Sequence, residues 1–245
     1  ASPDTFNPIF VGNEATHLVI DRVFAGLIRR NQMTLEYEPY LAAGWTVSED
    51  QTTITFTLRE GLTWSDGKPL TTEDFLYARE LAFMEGVEGD TRDLFFVGET
   101  PAQMEAVDDS TLKIVLPRPY SGGMKMATMS PVPKHIFEPV VNESGIEGLR
   151  ELWSVDADPA SVVGCGPFLI DSYEEGEEIV FRPNPLYHEK DEKGQRLPYI
   201  DRLVVVYSED EVGEMERFLA GELDYLEFRG NEHEALMQRK EELAI

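Results

Sequence analysis

Ile54-Thr55-Phe56-Thr57-Leu58-Arg59-Glu60-Gly61-Leu62-Thr63-Trp64-Ser65-Asp66-Gly67-Lys68-Pro69-Leu70-Thr71-Thr72-Glu73-Asp74-Phe75 is the stretch from which the fold is read. Ile54, Phe56 and Leu58 alternate strictly with Thr53, Thr55 and Thr57. That is the period-two pattern of a half-buried strand with threonines on its wetter face. Trp45 and Val47 alternate upstream, and Ser48-Glu49-Asp50-Gln51 supplies turn residues between the two runs, so a hairpin is predicted. Asp66-Gly67 marks a tight turn. Thr71-Thr72-Glu73-Asp74 then caps a helix, a hydroxyl taking up free N–H groups while the acids face the positive end of the dipole. Phe75, Ala78, Leu81 and Ala82 form its apolar stripe.

Outward from this block the pattern stays mixed. Residues 2–8 are turn-rich and extended, because each proline biases its predecessor away from helix. Over residues 16–30, Leu18, Val19, Val23, Phe24 and Leu27 recur at helical spacing, with Thr16 as N-cap and Gly26 near the end. Residues 85–110 are acidic and weakly patterned, expected as loop with short helical pieces. Residues 111–116 read as a strand stopped by Pro117 and Pro119. Gly122-Gly123, with Met124, Met126 and Met129, reads as a flexible connection, and a helix is expected around 148–153. A second β block follows: 168–173 and 178–181 flank Glu174-Glu175-Gly176-Glu177, a natural hairpin tip. Val204, Val205 and Val206 in a row suggest a strand over 203–207 covered on both faces. Residues 211–220 turn helical, with Gly221 as the C-cap candidate. The fold class is α/β, a mixed α+β chain with two β-containing lobes.

Composition narrows the function. The 245 residues, 42% hydrophobic, suffice for a sizeable core. Forty-seven acidic residues against 21 basic ones give a formal charge of −26. A field of that sign repels phosphate backbones and anionic membrane surfaces, so neither nucleic acid nor bilayer is an expected partner. No apolar run approaches the roughly 18 residues needed to span a bilayer, and no basic-then-apolar signal opens the chain. It reads as a mature fragment. One cysteine, Cys165, excludes an internal disulfide.

Catalytic signatures are sparse. Gly164-Cys165-Gly166 superficially suggests a nucleophile on a tight turn, but none of the four histidines has a context that would make it the base. A buried structural cysteine is the expected role. His17, His135, His188 and His233 are scattered, and Glu232-His233-Glu234 lacks the second histidine of a zinc helix, so no metal or cofactor is expected. Glycines 164 and 166 are positioned for a close backbone approach, which glycine permits cheaply.

A longer signal is the ordered set of short blocks. Glu38-Pro39-Tyr40-Leu41-Ala42-Ala43-Gly44-Trp45, the opening block above, Gly164-Cys165-Gly166-Pro167-Phe168, Asn184-Pro185-Leu186-Tyr187, Leu197-Pro198-Tyr199-Ile200-Asp201-Arg202 and Ala220-Gly221-Glu222-Leu223-Asp224 run across nearly the whole chain. Together they resemble the oligopeptide/dipeptide-binding family of ABC-transporter receptors, family 5 of the extracellular solute-binding proteins. His188 stands where that family usually has tryptophan, Pro183 interrupts its Arg-Asn step, and Thr72 replaces its common alanine.

The resemblance implies a type II periplasmic-binding-protein-like lobe with a mixed sheet plus a smaller β-rich subdomain. Residues 1–28 and 163–245 would form an incomplete first lobe, 29–162 an inserted subdomain, and the second lobe would be absent, since family members run to about twice this length. It implies a receptor without catalytic chemistry, located in the periplasm or outside the cell and reaching a membrane only through a lipid anchor outside this chain. Its partners would be a peptide or other small solute and ABC-transporter permease subunits. Thr16, His17 and Leu18, together with Gly164, Cys165, Gly166, Glu227, Phe228 and Arg229, would line an interlobe cleft. The same fold also serves oligosaccharides and nickel complexes. A carboxylate-dependent envelope hydrolase is the rival from another class; it requires two acids at a defined separation in a pocket, one with a raised pKa.

Overall fold

The computed structural model describes residues 2–87, 90–207 and 211–226, and the structural statements below concern those. Helix α1 (Glu14–Val23) opens at Asn13, whose Oδ1 accepts the Thr16 N–H at 2.8 Å. Thr16 therefore sits inside the first turn, one residue type in competition with another for the cap, and asparagine wins. The helix also stops earlier than the apolar spacing suggested, at an extended Phe24. Strand β1 (Ile28–Arg30) then pairs antiparallel with β2 (Tyr37–Pro39). Gly26 owes its place to packing: a Cβ there would lie 2.6 Å from the Thr128 carbonyl oxygen.

The predicted hairpin forms from β3 (Ala42–Val47) and β4 (Thr53–Leu58), with Trp45 opposite Phe56 and Val47 opposite Ile54. Ile54, Phe56 and Leu58 are all buried. Helix α2 (Thr72–Ala82) buries Phe75, Ala78 and Leu81 as its stripe requires. Its cap is the expected Thr71–Asp74 segment, closed as a capping box with Thr71 as N-cap and Glu73 and Asp74 in the first turn. The Asp74 carboxylate reaches back to the Thr71 N–H at 2.8 Å, while the Thr72 hydroxyl donates to the Asp108 carbonyl at 2.7 Å. Asp74 also accepts from the Trp64 indole at 3.3 Å and the Lys134 N–H at 3.0 Å, so one buried carboxylate ties three segments.

The described residues between 85 and 110 hold more regular structure than their composition suggests. They hold α3 (Asp90–Leu94), a small ribbon of β5 (Phe96–Val97) and β6 (Thr100–Pro101), and strand β7 (Gln103–Asp108). β7 escapes a pattern search because it is an edge strand that buries only Met104 deeply, and a register shift turns Val107 outward. It pairs with β8 (Thr111–Val115), completing an antiparallel sheet in the order β3-β4-β8-β7. The connection at Gly122-Gly123 is a 3₁₀ helix over Ser121–Thr128, held by buried Gly123, Met126 and Ala127. Helix α4 (Lys134–Glu151) is longer than expected and broken at Gly145, whose φ is 59°. A short 3₁₀ turn, Pro159–Ser161, follows.

The second block is a sheet ordered β11-β10-β9, from β9 (Phe168–Glu174), β10 (Glu178–Pro183) and β11 (Leu203–Val206). β11 is antiparallel and lies at an edge among the described residues, with Val204 37% exposed. Its valine run is therefore not covered on both faces, and β-propensity rather than double burial accounts for it. Helix α5 (Glu211–Leu219) ends at Gly221, in the left-handed region at φ 76° as its C-cap. One apolar cluster joins both sheets. At its centre Phe24 meets Trp64 (6.5 Å between centroids) and Trp153 (6.1 Å), and Trp153 meets Phe137 edge-on at 5.0 Å.

Candidate functional site

The C-terminal end of α1 and the Gly164–Gly166 step belong to one seam. Gly166 N–H donates to the Val23 carbonyl at 2.8 Å, and Ser65 N–H donates to the Gly164 carbonyl at 2.9 Å. A Cβ on Gly164 would meet the Val23 oxygen at 2.3 Å, and one on Gly166 the Arg22 oxygen at 2.6 Å. The close approach foreseen for these glycines is thus made to the C-terminal end of α1. Between them Cys165 is buried, its Sγ 3.9 Å from the Ala25 carbonyl. Burial pushes its thiol up to about 12, so it stays protonated and acts as packing.

Thr16 is likewise committed internally. Its hydroxyl donates to the Asp4 carboxylate in a very short contact, and its Oγ1 accepts the Asp4 N–H at 3.0 Å. Of the residues expected along a cleft, His17 is exposed and Leu18 half-buried, both on the side of α1 away from buried Val19, Ile20 and Val23. Glu227, Phe228 and Arg229 lie outside the described residues. Among the described residues, no group of three or more His, Cys, Asp or Glu side chains is placed to hold a metal ion.

A polar cluster that the sequence reading did not single out joins β1 and β2 to the segment after β10. Arg29 pairs with Glu38 at 2.6 Å and Glu189 at 2.8 Å, and its guanidinium lies 4.5 Å from the Tyr40 ring centroid. The Tyr187 hydroxyl donates to the same Glu189 oxygen at 2.7 Å and lies 3.1 Å from the Tyr40 hydroxyl. His188 Nε2 lies 3.1 Å from the Tyr40 carbonyl oxygen, to which it can donate. Burial works against the Glu189 carboxylate, yet the Tyr187 hydroxyl and the Arg29 guanidinium hold it below its usual range. Burial pushes His188 down to about 4, so the ring is neutral at pH 7. The sequence reading placed Arg29 within a helical pattern, so its opposition to Glu38 across the β1–β2 ribbon was not read, and their third partner is 160 residues away.

These features, an internally braced helix end and a joint of paired charges, describe scaffold more than reaction chemistry, and comparison with known proteins agrees. Residues 36–245 match the family model described as bacterial extracellular solute-binding proteins, family 5 Middle. A probable ABC transporter-binding protein of Deinococcus radiodurans is 34% identical over 224 residues, covering 90% of this chain and 38% of that protein. The oligopeptide-binding protein OppA of Bacillus subtilis is 29% identical over 238 residues, covering 91% of this chain and 41% of its own length. The fold is shared with the periplasmic binding protein MelB of Agrobacterium fabrum, solved with stachyose, at a TM-score of 0.82 and 24% identity over 97% of this chain and 37% of that one. The chain thus spans about two fifths of the curated relatives it matches. With a family match over most of its length, a type II periplasmic-binding-protein-like architecture and six ordered sequence blocks, the chain belongs to the bacterial extracellular solute-binding proteins, family 5.

Proposed function

We propose that the chain is the first-lobe portion of a receptor that captures peptides and presents them to an ABC importer on the outer side of the cytoplasmic membrane. The observation that carries this is the family 5 match over residues 36–245, joined by 29% identity to a protein named for oligopeptide binding. Segments 1–28 and 163–245 form the lobe, 29–162 an inserted subdomain, and residues beyond this chain supply the second lobe. The packing of α1 along β9, sealed by Gly164 and Gly166, supports the pairing of the two distant segments. His17 and Leu18 are the accessible members on this side of the cleft, with Glu227, Phe228 and Arg229, which lie outside the described residues, as further contacts. Extended peptides add their backbone hydrogen bonds, and closure of two lobes by a hinge requires contacts from both. Anchoring, where it exists, is by a lipid outside the chain; among the described residues no helix is long and apolar enough to cross a membrane.

An oligosaccharide receptor is the second reading, favoured by the fold shared with the stachyose-bound protein. Mass spectrometry of ligand released from the purified parent protein separates them. Peptides are the expected cargo, and calorimetry with the same peptides should give saturable heat. Saccharide cargo would replace the first reading with the second. A parent protein that holds neither and binds neither would overturn the receptor proposal.

A further inference from the structure

Between α2, α4 and β7 lies a cavity of about 640 Å³ that shares no residue with the seam at α1. Leu76, Met84, Met104 and Val141 give it apolar walls, while Arg79 and Glu80 supply charge. Arg79 sets its chemistry. Its Nη2 donates to the Ala102 carbonyl at 2.7 Å, and the guanidinium lies 4.7 Å from the Phe83 centroid and 5.5 Å from that of Phe95. Among the described residues its buried Nε–H meets no acceptor, and no carboxylate comes within 4.0 Å of it. A guanidinium stays charged at any physiological pH, and a buried N–H without a partner is costly. That such an arginine lines a cavity with no acid partner among the described residues is the anomaly to be explained. A second guanidinium, Arg92, lies 5.7 Å from the Phe83 centroid, also without an acid partner among the described residues.

We infer that the cavity is a second binding site, for a monocarboxylate carrying a short apolar chain, with the carboxylate on Arg79 and the chain among Leu76, Met84, Met104 and Val141. The carboxylate supplies the acidic partner that the guanidinium lacks among the described residues, in a charge-assisted hydrogen bond to the part of Arg79 that lines the cavity and not to its buried Nε. Two flexible thioethers in the wall let the site accept chains of differing shape. Glu80 on the same wall repels a second negative charge and so selects against dianions such as phosphate. An aliphatic acid and an apolar α-amino acid share this chemistry; the ammonium of the latter would face Glu80. The inference is independent of what the receptor carries in its cleft.

The test is a methyl spectrum of the full chain carrying labelled methionines, titrated separately with hexanoate, leucine, hexanol and phosphate. Saturable shifts confined to Met84 and Met104 with hexanoate or leucine, and none with hexanol or phosphate, are expected. The stronger of the two acids identifies the source. Arg79→Met should weaken binding about tenfold or more, the worth of one charge-assisted bond. Val141→Trp, which fills the cavity and leaves Arg79 in place, should abolish binding even if the arginine variant fails to fold. Hexanol as effective as hexanoate, undiminished binding by either variant, shifts spread over all eight methionines, or no saturable shift with either acid overturns the inference.

Discussion

Removing Glu189 should loosen the joint between the β1–β2 ribbon and the segment after β10, and its cost can be worked from the geometry. A single carboxylate oxygen accepts the Tyr187 hydroxyl at 2.7 Å and the Arg29 guanidinium at 2.8 Å. In Glu189→Ala the buried phenol keeps only its 3.1 Å contact with Tyr40, losing a hydrogen bond to a charged group worth about 2 kcal/mol. Arg29 keeps Glu38, and its side chain is 40% exposed, so the lost ion pair is worth about 0.5–1 kcal/mol after solvent screening. The sum, about 3 kcal/mol, should lower the thermal midpoint of a chain this size by about 6–12 °C. Urea unfolding at pH 7, followed by tryptophan fluorescence, measures it. Glu189→Gln keeps an acceptor for Tyr187 and should cost about 1 kcal/mol. Arg29→Met preserves an apolar stem over Tyr40 while removing the charge. A double-mutant cycle with Glu189→Ala should then show coupling of about 0.5–1 kcal/mol. A loss below about 0.5 kcal/mol for Glu189→Ala, or strictly additive single variants, would refute the claim that this cluster braces the fold.

Acid should act through His188: the unfolded imidazole takes up a proton at 6.5 that the buried one, at about 4, refuses, so stability falls as pH drops through that window. The full difference corresponds to about 3 kcal/mol, reduced to about 2 by partial exposure. His188→Phe should flatten the urea midpoint between pH 6.5 and 4.5; below that, Glu189, whose depressed pKa adds stability only above its unfolded value, gives both proteins a common decline. Parallel profiles across the upper window would remove His188 from the account. Gly166→Ala places a methyl 2.6 Å from one backbone oxygen and 2.9 Å from the Phe24 nitrogen, and should cost about 3 kcal/mol or prevent folding. Gly44→Ala, where nothing lies within 4 Å, should change stability by less than about 0.5 kcal/mol; equal losses would show that the seam is not special. Asp74→Ala strands the Trp64 indole, Thr71 and Lys134 N–H groups at once, with an expected loss of about 3 kcal/mol by thermal melting.

Legibility in the sequence followed the range of the interaction. The β3–β4 hairpin, the stripe of α2 and the Gly176 tip were readable because alternation, spacing and turn residues are local. β7 and the 3₁₀ helix were not, since each is fixed by what it packs on: β7 by the edge of β8, Gly123 by Leu116, whose Cδ1 would stand 2.8 Å from an added Cβ. The same distinction divides the expected site residues. Gly164-Cys165-Gly166 announces a close backbone approach in any reading, but one-dimensional pattern cannot say whether the visitor is a ligand or the protein's own helix. Here the visitor is the end of α1, with the Gly166 N–H already bonded to Val23 and the thiol sealed under Ala25. Thr16 shows the same thing at the other end of that helix, where a hydroxyl poised to meet a solute is instead closed on Asp4. Of the residues expected along a cleft, α1 leaves His17 exposed and Leu18 half-buried. Under the proposed receptor function that division is expected on physical grounds: polar groups that hold one half of a hinge rigid would not also desolvate a changing cargo. The proposed cleft would therefore draw on residues that the scaffold does not use, and those carry the weakest local signal.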